Sequence, residues 1–346
     1  ALPISVVAVT TLAALDIQPP FPGAVAMKQV RMGVIGCGGM ACHHLNYLND
    51  IPGCKVTAIA DITPKSLERA RGIIGDVAGF DDGETLIKSG KVDAILIGTP
   101  HYFHPPLTKA AMKQGIHVLT EKPVAVTAKA AAEVNKLHEK HPDVIYGAMF
   151  QQRTLASSRK IKELIETGQL GEIQRVNWTI TSWFRTQAYY NSGGWRATWE
   201  GEGGGVLLNQ CPHNLDLIQW FVGMPEKVTA NVAIGKYHHI EVEDEVTAYL
   251  EYPNGATGVF MTSTGEAPGI NRLDIVGTRG TLTLDGAKLT LVQNETPADE
   301  FCRNSTESFA TPPRTVMTID PQAPGGQHRI VSEKFIEAIL NKDPAR

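Results

Sequence analysis

Val30-Arg31-Met32-Gly33-Val34-Ile35-Gly36-Cys37-Gly38-Gly39-Met40-Ala41 is an apolar run that stops in glycines and restarts as a helical segment at Met40. A strand that turns through glycines into a helix is a phosphate cradle. The first glycine permits the tight turn, and the second lets the backbone approach a pyrophosphate. The helix start then offers free N–H groups and the positive end of its dipole. Ala41 stands where a third glycine is common. A second apolar run, Lys55 to Ala60, ends in Asp61. This lies about 20 residues beyond the glycines, where a carboxylate accepts hydrogen bonds from a ribose 2′-hydroxyl. The stretch therefore predicts a dinucleotide site at Gly36, Gly38, Gly39, Met40 and Asp61. The Asp61 charge repels a 2′-phosphate, which favours NAD over NADP, with nearby Lys65 as the one feature on the other side.

From this point the grammar repeats as far as Phe150. Apolar runs at Val30–Ile35, Lys55–Ala60, Val92–Ile97, His117–Leu119 and Val144–Phe150 alternate with helical segments such as Pro64–Arg71, Pro105–Gln114 and Ala128–Lys140. Continuous β-branched runs separated by helices predict a parallel sheet buried on both faces, a doubly wound domain over residues 27–150. After Phe150 a helix from Ser157 to Thr167 leads into alternating strands. These are Ile173–Ser182, Lys227–Ile234, Glu245–Glu251, Thr257–Ser263, Leu273–Val276 and Thr281–Leu284. Turns at Tyr252–Gly255 and Gly277–Gly280 link them as hairpins, so residues 151–346 predict an α+β domain with a large, open, mostly antiparallel sheet. Residues 293–327 read as an irregular crossing, and Gln327 to Leu340 as a final helix.

Composition narrows the partners. The 346 residues carry 32 Lys plus Arg and 36 Asp plus Glu, for a net charge of −4 with no basic block, which speaks against nucleic acid. The 5 cysteines form no C-x-x-C pair and predict reduced thiols and a cytoplasmic protein. A zinc site from Cys37, Cys42, His43 and His44 has the wrong spacing, so no metal is expected. No run is long enough to predict a membrane span. Residues 1–26 are apolar, then proline-broken, with no basic region before them. They read as an upstream extension, with a damaged signal peptide or a structural arm as alternatives.

Three stretches carry candidate chemistry. Gly98-Thr99-Pro100-His101-Tyr102-Phe103-His104 follows a strand and so falls at the cofactor edge of the sheet, or is an ordinary turn with solvent-facing histidines. Thr120-Glu121-Lys122-Pro123 follows the next strand. There a lysine fixed by proline can polarise a hydroxyl, or can sit on the surface beside Glu121. Gly203-Gly204-Gly205 precedes a helix expected to start near Leu208. Its apolar stripe is Leu208, Cys211, Leu215, Ile218 and Val222, and Asn209, His213 and Asp216 are placed together on another face. All 5 tryptophans lie between Trp178 and Trp220. With Arg185, Arg196, Tyr189 and Tyr190 they suit either the apolar faces of a sugar ring or a packed core.

Taken together, G-C-G-G-M-A at Gly36, Asp61, T-P-x-x-x-H from Thr99 to His104, E-K-P at Glu121 and G-G-G-V-L-L-N-Q-x-x-H ending at His213 resemble the glucose–fructose oxidoreductase and inositol dehydrogenase family, Gfo/Idh/MocA. The likeness runs from Met27 to about Leu340. It implies a nicotinamide cofactor, a sugar or cyclitol substrate, and a homodimer or homotetramer formed through the C-terminal sheet. It implies Lys122 and His213 as catalytic residues, with Asn209 beside them, and Thr99, Pro100, His104, Glu121, Lys122 and Gln151 near the cofactor. Arg153, Trp183, Arg185, Tyr190, Trp195, Arg196, Asn209 and His213 are expected around the substrate. Many members have Asp four residues before the histidine, where this chain has Asn209. An amide takes no proton at neutral pH, so the base is expected at His213, with Asn209 orienting the substrate. Family members usually continue beyond this point, so the chain reads as truncated at its C-terminus. The stretch from Trp183 to Arg196 is similar to members that oxidise pyranosides. The expected reaction is hydride transfer from a secondary hydroxyl of a sugar, anhydrosugar or inositol to NAD. An NAD-using glycoside hydrolase acting by oxidation and elimination, and a non-catalytic NAD-binding regulator, are the alternatives.

Overall fold

The computed structural model describes residues 29–321 and 325–343. The expectations for residues 1–26 and for the last residues of the chain lie outside the described residues. Six parallel strands form the first sheet: β1 (Val30–Ile35), β2 (Cys54–Ala60), β3 (Ala78–Phe80), β4 (Ala94–Ile97), β5 (His117–Thr120) and β6 (Tyr146–Ala148). Their order is β3-β2-β1-β4-β5-β6, so the winding reverses between β1 and β4. Helices α1 (Gly39–Leu48), α2 (Pro64–Ile74), α3 (Gly83–Lys88), α4 (His104–Lys113) and α5 (Ala128–His138) connect them.

Alternate strand residues feed opposite faces. Met32 and Val34 pack with Leu45, Leu48 and Phe335 on one side. Ile35, Ile95 and Ile97 pack with Leu86 and Ala111 on the other. Burial on both faces is why these strands read as unbroken apolar runs rather than alternating ones. The crevice at the switch point, beyond the carboxyl ends of β1 and β4, is where such sheets bind ligands.

After β6, α6 (Ala156–Glu166) leads into β7 (Ile173–Ile180), then α7 (Gln187–Asn191), α8 (Val206–Asn209) and α9 (Pro212–Val222). Strands β8 (Lys227–Ile234), β9 (Glu243–Glu251), β10 (Thr257–Ser263), β11 (Asn271–Gly277), β12 (Gly280–Asp285) and β13 (Lys288–Asn294) follow. Then come α10 (Ala298–Asn304), β14 (Arg314–Ile319) and α11 (Gln327–Asn341). Eight strands form one sheet in the order β14-β13-β12-β11-β7-β10-β9-β8. The pairs are antiparallel except β7 with β10, which is parallel. Trp178, Ile180, Phe260, Leu273 and Ile275 pack on one face under Ile161, Leu217 and Phe221 of α6 and α9.

Four departures from the sequence reading have physical causes. β3 is only three residues long, too short for a period to show. The described residues between 293 and 321 are not an irregular crossing throughout. They hold the end of β13, all of α10 and the edge strand β14, whose residues are mostly exposed and so show no apolar alternation. The helix expected from Leu208 is broken. Pro212 has no N–H to continue α8 and instead opens α9. Finally, α11 returns to the first sheet, with Phe335, Ile336 and Ala338 in the same core as β1 and α1.

Candidate active site

The glycine turn is built as a cradle. Gly36 has φ +84, and a Cβ there would lie 2.8 Å from the Gly98 carbonyl carbon and the Thr99 nitrogen, so β1 and the β4 loop touch through backbone. A Cβ on Gly38 or Gly39 would meet nothing within 4 Å, so the space above the start of α1 is open. Asp61 closes one side, accepting from the Cys37 N–H at 2.7 Å and from the Thr63 N–H at 2.8 Å. Each carboxylate oxygen keeps a further lone pair for a hydroxyl. Met40, 44 % exposed, stands in the first turn of α1. Thr99 Oγ1 and Gln151 Oε1 are buried without a partner among the described residues. An open anion cradle, a held carboxylate and unsatisfied polar atoms together fit a dinucleotide.

The loops after β4 and β5 are locked together. His104 Nδ1 lies 2.7 Å from the Pro123 carbonyl oxygen, and Nε2 lies 2.8 Å from that of Thr99. Its ring is thus wedged between the Thr99-Pro100 and E-K-P segments, and burial lowers its pKa. Glu121 faces backwards, with His44 Nε2 at 2.6 Å from Oε1. His44 Nδ1 in turn contacts the hydroxyl of Tyr47, which bonds Ser332 on α11 at 3.2 Å. Burial opposes ionisation of Glu121, but the hydrogen bond and charge of His44, aided by Lys122, hold its pKa below the ordinary value.

Lys122 points across the crevice. Its Nζ donates to the backbone oxygen of Asn209 at 2.7 Å and approaches Asn209 Oδ1 at 3.4 Å. Burial lowers the pKa of this ammonium, against the attraction of Glu121 and Glu202. Asn209 ends α8, whose start is held by the Glu243 carboxylate. That group accepts from Gly205 N–H at 2.9 Å and Leu207 N–H at 3.1 Å. Only glycine fits at 205, since a Cβ would collide with the Glu243 carbonyl oxygen.

His213, in the first turn of α9, is 6 % exposed. Its Nε2 lies 3.4 Å from Gln151 Nε2, and its Nδ1 is buried without a partner among the described residues. Burial, then the charge of Lys122, pushes its pKa down to about 4, so the ring is neutral near pH 7. Asn209, His213 and Asp216 do not share one helical face as expected. The break before Pro212 separates Asn209 from the other two, and Asp216 is taken by Arg153 in a two-pronged pair at 2.6 and 2.7 Å. The Arg153 guanidinium also lies 5.4 Å from the ring centre of Trp220.

The aromatic segment divides. Tyr190 is buried, and its hydroxyl donates to Thr264 Oγ1 at 2.8 Å, so it packs in the core rather than in the crevice. Successive residues on a helix point about 100° apart, so only one of Tyr189 and Tyr190 can face the polar cluster. It is Tyr189. Its hydroxyl is 2.8 Å from Arg196 Nη1 and 3.3 Å from both Asn209 Nδ2 and Gln210 Nε2. Arg196 is layered between Tyr189 and Trp195, 4.6 and 4.7 Å from their centroids. Trp195 meets His101 edge-on at 5.3 Å. Trp183 packs against the core of the second sheet with its Nε1 buried and unpartnered among the described residues, and Arg185 bonds the Phe184 carbonyl at 2.9 Å and lies 5.2 Å from the ring centre of Tyr189.

One buried residue of the crevice, Glu202, has no place in the sequence reading, and His101, in the stretch expected at the cofactor edge, is buried rather than solvent-facing as the alternative had it. Glu202 is 1 % exposed, its Oε1 accepts from Asn209 Nδ2, and its Oε2 accepts from the Ala197 N–H at 2.6 Å. His101 is 4 % exposed and bonds the Glu202 carbonyl oxygen at 3.0 Å. A carboxylate directly before three glycines is the one signal the sequence offers for Glu202.

A separate cavity of about 550 Å³ lies between α9 and strands β8, β9 and β10, lined by Phe150, Leu215, Ile218, Val228, Val232 and Phe260 among others. It is almost wholly apolar, and its carboxylate, Asp216, is already paired with Arg153. It is suited to apolar contact rather than to a polyhydroxylated ring. Among the described residues no group of His, Cys, Asp and Glu is arranged to hold a metal ion, and no helix is long and apolar enough to cross a membrane.

Comparison with known proteins agrees with this geometry. Residues 30–148 match the oxidoreductase family with an NAD-binding Rossmann fold, and residues 158–283 match the GFO/IDH/MocA C-terminal domain. The chain belongs to the Gfo/Idh/MocA family of NAD-binding oxidoreductases. It is 28 % identical to myo-inositol 2-dehydrogenase of Thermotoga maritima over 273 residues, 76 % of this chain and 77 % of that one. It resembles the WlbA dehydrogenase of Bordetella pertussis, solved with NADH and UDP-GlcNAcA. There the TM-score is 0.70 and the identity 30 %, over 75 % of this chain and 78 % of that one. Levoglucosan dehydrogenase, solved with NADH and L-sorbose, shares the fold with a TM-score of 0.76 at 21 % identity over 90 % of each chain. The chain is thus a dehydrogenase that uses a nicotinamide cofactor and acts on CH–OH groups.

Proposed function

We propose that this enzyme oxidises a secondary hydroxyl of a sugar, anhydrosugar or inositol held between the E-K-P loop and α8–α9. The observation that carries the reading is the convergence of Lys122 and Asn209 from opposite sides of the crevice, with neutral, buried His213 close by. The cofactor, when bound, supplies the hydride acceptor, and the glycine turn with Asp61 holds its dinucleotide. The chain's own residues manage the proton. His213, neutral at pH 7, takes it from the substrate hydroxyl. The Lys122 ammonium stabilises the negative charge developing on that oxygen, and Asn209 orients it. Trp195, Arg196 and Tyr189 offer an aromatic wall and a cation to the rest of the ring.

Relatives named for inositol and glucoside oxidation support a polyhydroxylated ring as substrate. The test is NADH formation from NAD with a panel of inositols, glucosides and levoglucosan. Failure with every ring alcohol would overturn the reading. The sheet face opposite α6 and α9 bears Tyr249, 46 % exposed, with Val259 and Met261. This supports pairing of copies through it as a dimer or tetramer, which the mass in solution, measured by light scattering, checks.

A further inference from the structure

We propose that Glu202 is a positioning residue that presents a carboxylate to Lys122 through the amide of Asn209, and so sets the orientation and charge of Lys122. The inference rests on the assignment of Lys122 to the reacting hydroxyl.

The geometry is a bridge of three side chains. Glu202 Oε1 accepts from Asn209 Nδ2, and Asn209 Oδ1 faces Lys122 Nζ at 3.4 Å. An amide has one donating and one accepting end, so the carboxylate on one side dictates that oxygen faces the ammonium on the other. The arrangement is an ion pair with an amide inserted between its halves. Glu202 is fully enclosed, with Oε2 fixed by the Ala197 N–H at 2.6 Å, so its charge cannot turn to solvent. A buried carboxylate survives only when paired and hydrogen-bonded. Burial raises the Glu202 pKa and lowers that of Lys122, and each charge opposes the change in the other. Other groups facing Lys122 are Glu121, Arg196, Cys211 and the rings of His101, His104, His213 and His328. Of these only Glu121 is a carboxylate, and it is turned towards His44.

A latch that merely closed the loop before the glycines would need only the Ala197 bond. The bridge makes a sharper demand. In Glu202→Gln a carbonyl oxygen can keep the Ala197 bond, but an NH2 then meets Asn209 Nδ2. Donor faces donor, Asn209 turns over, and its own NH2 is set against Lys122. Adding Asn209→Asp restores an acceptor for both neighbours and returns the charge to the crevice.

Two readouts test this on the full chain. The first is the pH dependence of Lys122 labelling by an amine reagent, followed by peptide mass spectrometry, which needs no substrate. Its midpoint falls in Glu202→Gln and recovers in Glu202→Gln/Asn209→Asp. The second is turnover on the best substrate of the panel. In Glu202→Gln kcat drops about 10- to 100-fold while the Kd for NADH, read by fluorescence, is unchanged, and the double variant regains most of the loss. An unmoved midpoint in Glu202→Gln, or a double variant no better than the single one, overturns the proposal. If the wild-type chain oxidises no ring alcohol, the reading of the function fails while the labelling still decides the bridge. If Glu202→Gln does not bind NADH, Asn209→Leu cuts the bridge at its centre, and an unchanged Lys122 midpoint there overturns it equally.

Discussion

The Lys122 ammonium lies 2.7 Å from the backbone oxygen of Asn209, 87 residues further along the chain. This contact joins the end of a buried parallel strand to the one-turn helix α8 of the second lobe. Removing the ammonium removes the cation that meets the developing negative charge. Lys122→Ala is expected to lower turnover by about 10²- to 10⁴-fold, with NADH binding intact by fluorescence titration. Wild-type turnover would take Lys122 out of the mechanism.

His213 sets the acid limb of the pH profile. Burial and the charge of Lys122 place its folded pKa at about 4, below the ordinary 6.5. The ring is therefore able to accept a proton throughout the neutral range and loses that ability as pH falls through about 4. A kcat/KM profile should hold its His213 limb near 4, and His213→Ala should cut turnover by about 10²- to 10⁴-fold. A limb near 6.5 that disappears with His213 would contradict this environment.

The buried histidines also govern stability. His101 is pushed down to about 3 and His328 to about 4, in both cases first by burial, and His213 matches the latter. Folding excludes protons that the unfolded chain binds below about 6.5, so stability is full above that pH and falls as pH drops towards 4 and 3. Glu121, held below its usual value, adds in the same direction, whereas Glu202, held above, works against it. The urea midpoint should be lower at pH 4.5 than at pH 7, and His101→Phe should flatten the difference. An unchanged midpoint would contradict the burial of uncharged rings.

Asp61 reads the ribose. Its carboxylate is aimed by the Cys37 and Thr63 N–H groups. Asp61→Ser should weaken NADH binding about 10- to 100-fold and narrow the gap to NADPH, since a charged hydrogen bond is lost and a repulsion removed. Fluorescence titration with both dinucleotides checks the direction.

Gly36 is the tightest point of the cradle. With φ at +84 and a Cβ only 2.8 Å from the Gly98 backbone, Gly36→Ala must push β1 from the β4 loop. We expect a lower melting temperature together with loss of NADH binding. A variant that melts and binds like wild type would show that the loop yields.

What the sequence disclosed followed the range of each signal. The Val30–Ala41 turn and Asp61 are local patterns, and the E-K-P and Gly203–His213 segments announce themselves by glycine and proline. β14 is hidden because an edge strand with exposed residues carries no apolar rhythm. The split between α8 and α9 is half visible in Pro212, but periodicity runs on through it. Glu202 reaches Asn209 only because the loop from Gly193 to Gly205 folds back, and Tyr189 faces the crevice only because Tyr190 is anchored by Thr264. Neither relation has a sequence period, so neither is legible before the fold.

The most direct measurement is the absorbance of NADH formed when the chain and NAD meet inositols, glucosides and levoglucosan, run in parallel with Lys122→Ala. NADH is expected from at least one ring alcohol with the wild-type chain and nearly none with the variant, which still binds NADH. No NADH from any of them, or equal rates from both proteins, would contradict it.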